Sequence, residues 1–267
     1  MNSLEYLVRE SQIGPSPGTV APALPAGCAL IRPVAEVRNP PFRYICAIED
    51  RSSGSWQLIG AGTLVGPSTV LTAAHHVFGR TPGDLRVRVA RSGRSSLASR
   101  RVLAGTTFPG FTDLGMTGFP EDVAILELRT PVPSTVGFWG RVPRPSFDSR
   151  GSTIGSIPGW RPGSFSVNFS GYPLAVDRGV QRHCYTPTLL DVPGTPMLAF
   201  RSGCVRGHSG GPVWVTRDRS LGGRHLFGIV VDFDPGAGEC TAVHLTGSNR
   251  DLMAFIKRHV TTARFAF

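Results

Sequence analysis

Ser209 stands in the stretch Gly207-His208-Ser209-Gly210-Gly211-Pro212, where small residues on both sides leave one hydroxyl clear of the chain. A serine hydroxyl is a weak nucleophile near neutral pH, so it needs a base to take its proton and donors to hold the oxyanion that forms. The backbone N–H groups of Gly207 and Ser209 are the candidate donors, and glycine at 207 admits a conformation that a side chain obstructs. The candidate base is His75, which ends the run Thr72-Ala73-Ala74-His75. The candidate acid is Asp122, directly before the mostly apolar Val123-Ala124-Ile125-Leu126-Glu127-Leu128. Two glycines around a serine also make an ordinary loop, so the chemistry rests on the three segments together.

They occur in the order His, Asp, Ser, with 47 residues from His75 to Asp122 and 87 from Asp122 to Ser209. Thr72-Ala73-Ala74-His75, Asp122-Val123-Ala124-Ile125 and the Gly207–Pro212 stretch resemble the motifs of chymotrypsin-like (trypsin-fold) serine peptidases, over roughly residues 38–260. The resemblance implies an all-β fold of two six-stranded antiparallel Greek-key barrels, with the active site in the cleft between them and a C-terminal α-helix. It implies a serine endopeptidase acting on a protein or peptide through an acyl-enzyme, without cofactor or metal. Ser209 attacks, His75 takes its proton and returns it to the leaving amine, and Asp122 orients His75. His76 is the rival base and is expected to point away into packing; Glu121 and Asp113 are the rival acids.

His208 departs from the vertebrate digestive branch, where an aspartate at that place receives a newly cut amino terminus. A histidine does not accept an ammonium group in the same way, and the closer resemblance is to bacterial glutamyl-endopeptidase-like (V8-like) peptidases. Aligned on these motifs, the substrate pocket has Gly203 at its base, Arg206 at its rim, Val231 and Phe233 on one wall, and Ala242 and His244 opposite. No acid occupies the base, which disfavours an Arg or Lys side chain, although Asp232 and Asp234 complicate the wall. Val230 stands where the glutamyl branch carries histidine. Either His244 and Arg206 select an acidic side chain, or the pocket takes an apolar one. A catalytically silent homologue, binding through the Arg86–Arg101 face, is the competing function from another class, and an esterase using the same triad is a third.

The chain has 267 residues, of which 40% are hydrophobic, enough for a large core. Its 33 Gly and 23 Pro follow no period and suit short strands joined by turns. Net charge is +10, and Lys257 is the single lysine among 28 basic residues. Arg86, Arg88, Arg91, Arg94, Arg100 and Arg101 form the densest cluster. Without a nucleic-acid motif or interleaved aromatics, it reads as a solvated strand face. Five cysteines, Cys28, Cys46, Cys184, Cys204 and Cys240, leave at least one unpaired within the chain, and their spacing is not that of a zinc site. In the family resembled, a disulfide often braces the region before the nucleophile; Cys184–Cys204 would do so here, with Cys204–Cys240 as the rival. No window of about 18 apolar residues marks a membrane span, and no basic region followed by an apolar run marks a secretion signal. Taken from Met1 the chain reads as cytoplasmic, whereas the family resemblance suggests secretion.

Residues 1–37 read as an extension: a propeptide, an ordered strap or a partner-binding tail. Strand-like runs follow at 42–48, 56–59, 62–65, 69–72, 85–89, 101–103 and 123–128, a first barrel within about 38–130. Residues 130–163 hold six prolines and read as the crossover. A second series at 164–171, 197–201, 211–215, 226–231 and 242–245 makes the second barrel, about 164–247. Apolar positions Leu252, Met253, Phe255, Ile256 and Val260 predict a one-faced helix over about 250–260, capped by Ser248.

Overall fold

In the run Leu85–Val89 the three apolar residues are buried and the two arginines between them half-buried, the period-two pattern of a strand with one face inside a barrel. The computed structural model describes residues 32–116, 118–140, 152–155, 167–174, 179–186, 190–192, 195–201, 204–216, 224–234, 239–246, 249–260 and 265–266. After β1 (Arg32–Pro33), six strands close a barrel: β2 (Ile45–Asp50), β3 (Gln57–Leu64), β4 (Thr69–Thr72), β5 (Leu85–Val89), β6 (Ala98–Thr107) and β7 (Ala124–Leu128). Their order is β2-β3-β4-β7-β6-β5, and closure leaves no unpaired edge.

The second unit comprises β8 (Ser152–Gly155), β9 (Val167–Gly171), β10 (Arg182–Thr186), β11 (Leu190–Val192), β12 (Met197–Arg201), β13 (Pro212–Thr216), β14 (Arg224–Asp234) and β15 (Glu239–His244), then helix α1 (Arg250–His259) and β16 (Phe265–Ala266). Among the described residues it is a ten-stranded sheet, larger than the six-stranded barrel expected. Its order is β1-β10-β9-β13-β14-β15-β12-β11, with β8 parallel to β14 and β16 parallel to β8. The additions are short strands from distant parts of the chain. β1 pairs with β10, and Val34 N donates to Gln181 O at 2.9 Å, so the described end of the extension is strapped to this sheet.

Asn249 caps α1, its side chain accepting from Leu252 N at 3.4 Å; Ser248, the expected cap, lies outside the described residues. Leu252, Met253, Phe255 and Ile256 are buried, and Phe255 meets Phe108 of the loop after β6 edge-on at 5.6 Å. The expected Cys184–Cys204 bridge and its rival Cys204–Cys240 are both absent. Cys46, Cys184, Cys204 and Cys240 are buried thiols outside any disulfide, and Cys28 lies outside the described residues. Cys204 hydrogen-bonds Cys240, and burial pushes its thiol well above its ordinary range. A thiol held protonated in an apolar core packs as a small hydrophobe and does not attack a neighbour.

The two units are joined by buried polar contacts as well as packing. Tyr172, fully buried just after β9, accepts from Arg91 N at 3.0 Å and donates to Ile45 O at 3.2 Å on the first barrel. Trp139 donates to Thr63 Oγ1 at 2.7 Å and lies 6.0 Å from Trp214 of the second sheet. Replacing Tyr172 with Phe keeps the ring and removes both bonds, leaving the Arg91 N–H without its partner while Ile45 O keeps its bond from Ala90 N at 2.9 Å. Urea unfolding of Tyr172→Phe is expected to show a loss of about 2 kcal/mol, and an unchanged midpoint would show that the hydroxyl does not join the two units.

Candidate active site

The chain leaves β4 through a single 3-10 turn, Ala74–His76, which carries His75 at the end of the barrel. β7 runs antiparallel to β4 with Ala124 opposite Thr72, so the residues just before β7 return to the same end. Asp122 is there. His75 N donates to Asp122 Oδ1 at 2.9 Å, and His75 Nδ1 lies 2.7 Å from Oδ2. The Asp122 side chain has no exposure and that of His75 is 15% exposed. Donation to the carboxylate puts the ring proton on Nδ1 and leaves Nε2 to accept one. Gly118 N adds a third donor to Asp122, 3.2 Å from Oδ2.

Arg80 supports the same turn, donating from Nη1 to His75 O and from Nε to Asp50 Oδ2, each at 3.2 Å. Burial alone would raise the Asp50 carboxyl, but the Ser52 N–H and hydroxyl and the Arg80 guanidinium outweigh it and hold it below its ordinary value. His76 points away from the cleft, as expected. It is buried, its Nδ1 lies 3.1 Å from Thr72 Oγ1, and its ring fills the space beside Gly60. Burial, with the charges of His75 and Arg80, takes its pKa well below the ordinary value. The rival acids turn into their own loop: Asp113 accepts from Gly115 N at 2.7 Å and Glu121 lies against Gly110.

The serine loop is clamped against both units. Ala61 N donates to Ser209 O at 2.9 Å and Gly210 N to Val230 O at 2.7 Å. Gly207 has φ +97° and Gly210 φ +78°, and a Cβ on them would lie 2.0 Å from Tyr172 O and from Ala61 O respectively. Only glycine fits there. Gly210 also faces Thr72 Oγ1, which brings Ser209 beside the turn that carries His75. The N–H groups of His208, Gly210 and Gly211 are all bonded, whereas those of Gly207 and Ser209 donate to nothing among the described residues.

His208 is buried edge-on to Phe169 at 5.3 Å, with Nδ1 3.1 Å from Val205 N and 3.0 Å from Val205 O. Burial takes its pKa down to about 4, and its Nε2 has no partner among the described residues. Of the pocket residues, Gly203 lies outside the described residues. Arg206 is half-buried, with its carbonyl accepting from Leu174 N at 2.9 Å. The wall strands are neighbours, Val230 opposite Ala242 and Gly228 opposite His244. Val231 and Ala242 are fully buried, Phe233 is half-buried, and His244 lies edge-on to Phe227 at 6.0 Å. Asp232 is the informative neighbour. It follows a β-bulge in β14 and is exposed, and its carboxylate lies against Gly118, the residue that donates to Asp122. Partial desolvation raises its pKa, opposed first by a hydrogen bond from the Phe233 N–H and then by the charge of His75, which therefore feels an anion from this side too.

The trypsin family profile matches residues 31–236. The chain belongs to the trypsin family. Among solved structures this trypsin-family chain is similar to a Glu endopeptidase in complex with MPD. Identity is 18% and the TM-score 0.61, covering 85% of this chain and 96% of that one, a likeness of fold. No curated protein sequence gives a match. In this member of the trypsin family two histidines packed on the second sheet are neutral rings: His208, buried, and His183, half-buried against Trp214, both have a pKa of about 4, lowered by burial. The unfolded chain, with histidine near 6.5, binds more protons between about pH 6.5 and 4. Stability is therefore full above about pH 6.5 and declines as pH falls through that window, by roughly 3 kcal/mol per histidine at its lower end. Urea midpoints compared at pH 7 and 4.5 should show this decline, smaller in His208→Asn, and an equal decline in wild type and variant would remove His208 from the account.

Proposed function

We propose that the protein is a serine endopeptidase that hydrolyses peptide bonds through an acyl-enzyme. Ser209 Oγ attacks the carbonyl carbon while its proton passes to His75 Nε2. The oxyanion accepts hydrogen bonds from Gly207 N and Ser209 N. His75 gives its proton to the departing amine, leaving an ester on Ser209. Water, deprotonated by His75, then hydrolyses that ester and restores the serine. Asp122 remains a carboxylate throughout and stabilises the charged ring. The observation that carries this function is the two-point attachment of His75 to a fully buried Asp122, at 2.9 and 2.7 Å. The Gly207 and Ser209 N–H groups, which donate to nothing among the described residues, supply the complementary half of the chemistry.

Beyond Ile229, the described ladder of β14 continues only with β15, so among the described residues the backbone of Val231–Phe233 has no strand on its other side, and an extended substrate can add there as a strand. The side chain taken by the pocket is apolar in this reading. Val230 and Ala242 lie in an apolar cluster against which Phe233 packs, and His244 has its ring against Phe227.

A fluorophosphonate probe is expected to label wild-type protein and not Ser209→Ala, and peptide profiling to show cleavage after apolar residues. Folded wild-type protein that neither takes the probe nor cleaves would sink the peptidase function in favour of a silent binding module; cleavage after Glu would overturn the apolar pocket alone. Asp122→Asn should lose roughly 10⁴-fold in kcat.

The kcat/KM profile should fall on acidification below about pH 6 to 7, where an ordinary histidine base is protonated. Because the Asp232 carboxylate favours the charged form of His75, Asp232→Asn should move that acid limb to lower pH. A limb that stays in place would show that Asp232 does not act on the base.

A further inference from the structure

Beside the β5–β6 ladder of the first barrel, an open cleft of about 500 Å³ is lined by Arg51, Thr81, Gly83, Asp84, Arg101 and Arg129. The fold itself draws these arginines together. Arg51 N donates to Asp84 O and Arg129 N to Arg101 O, each at 3.0 Å, while the ladder sets Arg86 directly opposite Arg101. Like charges opposite one another in a sheet are destabilising.

Part of that charge is met inside the protein. Arg86 is paired with Glu49, and Arg51 with Asp84 at 3.1 Å. The guanidinium carbons of Arg86, Arg101 and Arg51 lie 4.1, 4.5 and 5.6 Å from the ring centre of Trp56, a cation–π cluster of three cations on one indole. The rest is unmet. Arg101 donates one bond, from Nη1 to Gly83 O at 3.0 Å, and neither Arg101 nor Arg129 pairs with a carboxylate among the described residues. Desolvation, with the charges of Arg51, Arg86 and Arg129, outweighs the nearby Asp84 carboxylate and holds the Arg101 guanidinium below its ordinary value. An anion in the cleft would relieve that repulsion.

We propose that this cleft is an anion-binding site for a phosphate group, held by Arg51, Arg101 and Arg129. Three arginines less Asp84 leave two positive charges, which match a phosphate dianion. Guanidinium forks meet phosphate oxygens in pairs, with more specificity than ammonium groups provide. The cleft is open and wide enough to admit a phosphate alone or one carried on a side chain. The phosphate therefore arrives either as the free ion or on a phosphorylated side chain of another protein. Trp56 makes the site self-reporting, because its ring contacts the guanidinium groups that the ligand would draw away.

The test is a titration of the full chain with inorganic phosphate, followed by tryptophan fluorescence and by calorimetry. Ionic strength is held constant with chloride, because general screening imitates weak binding. The expected result is saturable binding to one site, weakened at least tenfold in Arg129→Gln and in Arg101→Gln. Arg129→Gln is the safer variant, since its side chain makes no hydrogen bond among the described residues and its loss leaves the fold intact. A linear, unsaturable response, or equal binding by wild type and Arg129→Gln, overturns the site. A parallel titration with a phosphoserine peptide and its unphosphorylated form separates the two sources. Tighter binding of the phosphopeptide than of free phosphate assigns the site to a phosphorylated partner, and equal binding assigns it to the free ion.

Discussion

The cleft is built around a carboxylate shut off from solvent. Asp122 is wholly buried, and an ion in that position is tolerated only where donors replace its hydration. Those donors are His75 N, His75 Nδ1 and Gly118 N, from two separate segments. They meet because β4 and β7 are antiparallel neighbours with Thr72 opposite Ala124. His75 lies three residues beyond one end of that pair and Asp122 two residues before the other, so the ladder's register fixes their separation. A slip of one residue would turn the barrel's apolar faces outward as well as part the pair. The hydrophobic pattern and the catalytic geometry therefore depend on the same register.

The serine loop is held by a different constraint, the absence of side-chain volume. A Cβ on Gly207, Gly210 or Gly211 would come within 2.0, 2.0 and 2.2 Å of the carbonyl oxygens of Tyr172, Ala61 and Ser170. Ala61 belongs to the first barrel, and Tyr172 and Ser170 to the second unit. Backbone thus packs directly on backbone from both sides, which fixes the loop without using its own N–H groups at 207 and 209. Rigidity and two donors left without a partner among the described residues are what an oxyanion site requires, since donors that had to reorganise during reaction would stabilise the charge less.

These two constraints explain what was legible in the sequence. His75, Asp122 and Ser209 could be read because each sits in a short motif whose neighbours enforce its local geometry. Strands β4, β5 and β12 could be read because alternation or an apolar run marks them from end to end. Strands β1 and β16, two residues each, carry no period and exist only because β10 and β8 offer them a partner. The same holds for Asp232. Its approach to Gly118 follows from a bulge between Val230 and Asp232, and a bulge is set by the partner strand and leaves no mark in a single segment. The cysteines failed for a related reason: Cys184, Cys204 and Cys240 do belong to one apolar cluster, but membership of a core does not make a bridge. Arg80, which ties His75 O to Asp50, carried no motif at all.

The arginines show how far a charge count falls short of a surface. Along the sequence, residues 86–101 form a single basic cluster, yet in the fold it divides in two. Arg86, Arg88 and Arg91 all reach Glu49, which is 3% exposed. Arg91 also lies against Gly179 of the second unit, and its N–H donates to Tyr172. Arg91 thereby serves the junction of the two units, Arg86 is shared between Glu49 and the Trp56 ring, and losing any of the three would leave a buried carboxylate short of a partner. Arg101, on the other side, joins Arg51 and Arg129, which lie 50 and 28 residues away in the chain. The neutralising Glu49 and the reinforcing Arg129 both lie outside the sequence cluster. Composition could therefore show that the face is basic, but only the strand pairing shows which half of it remains uncompensated.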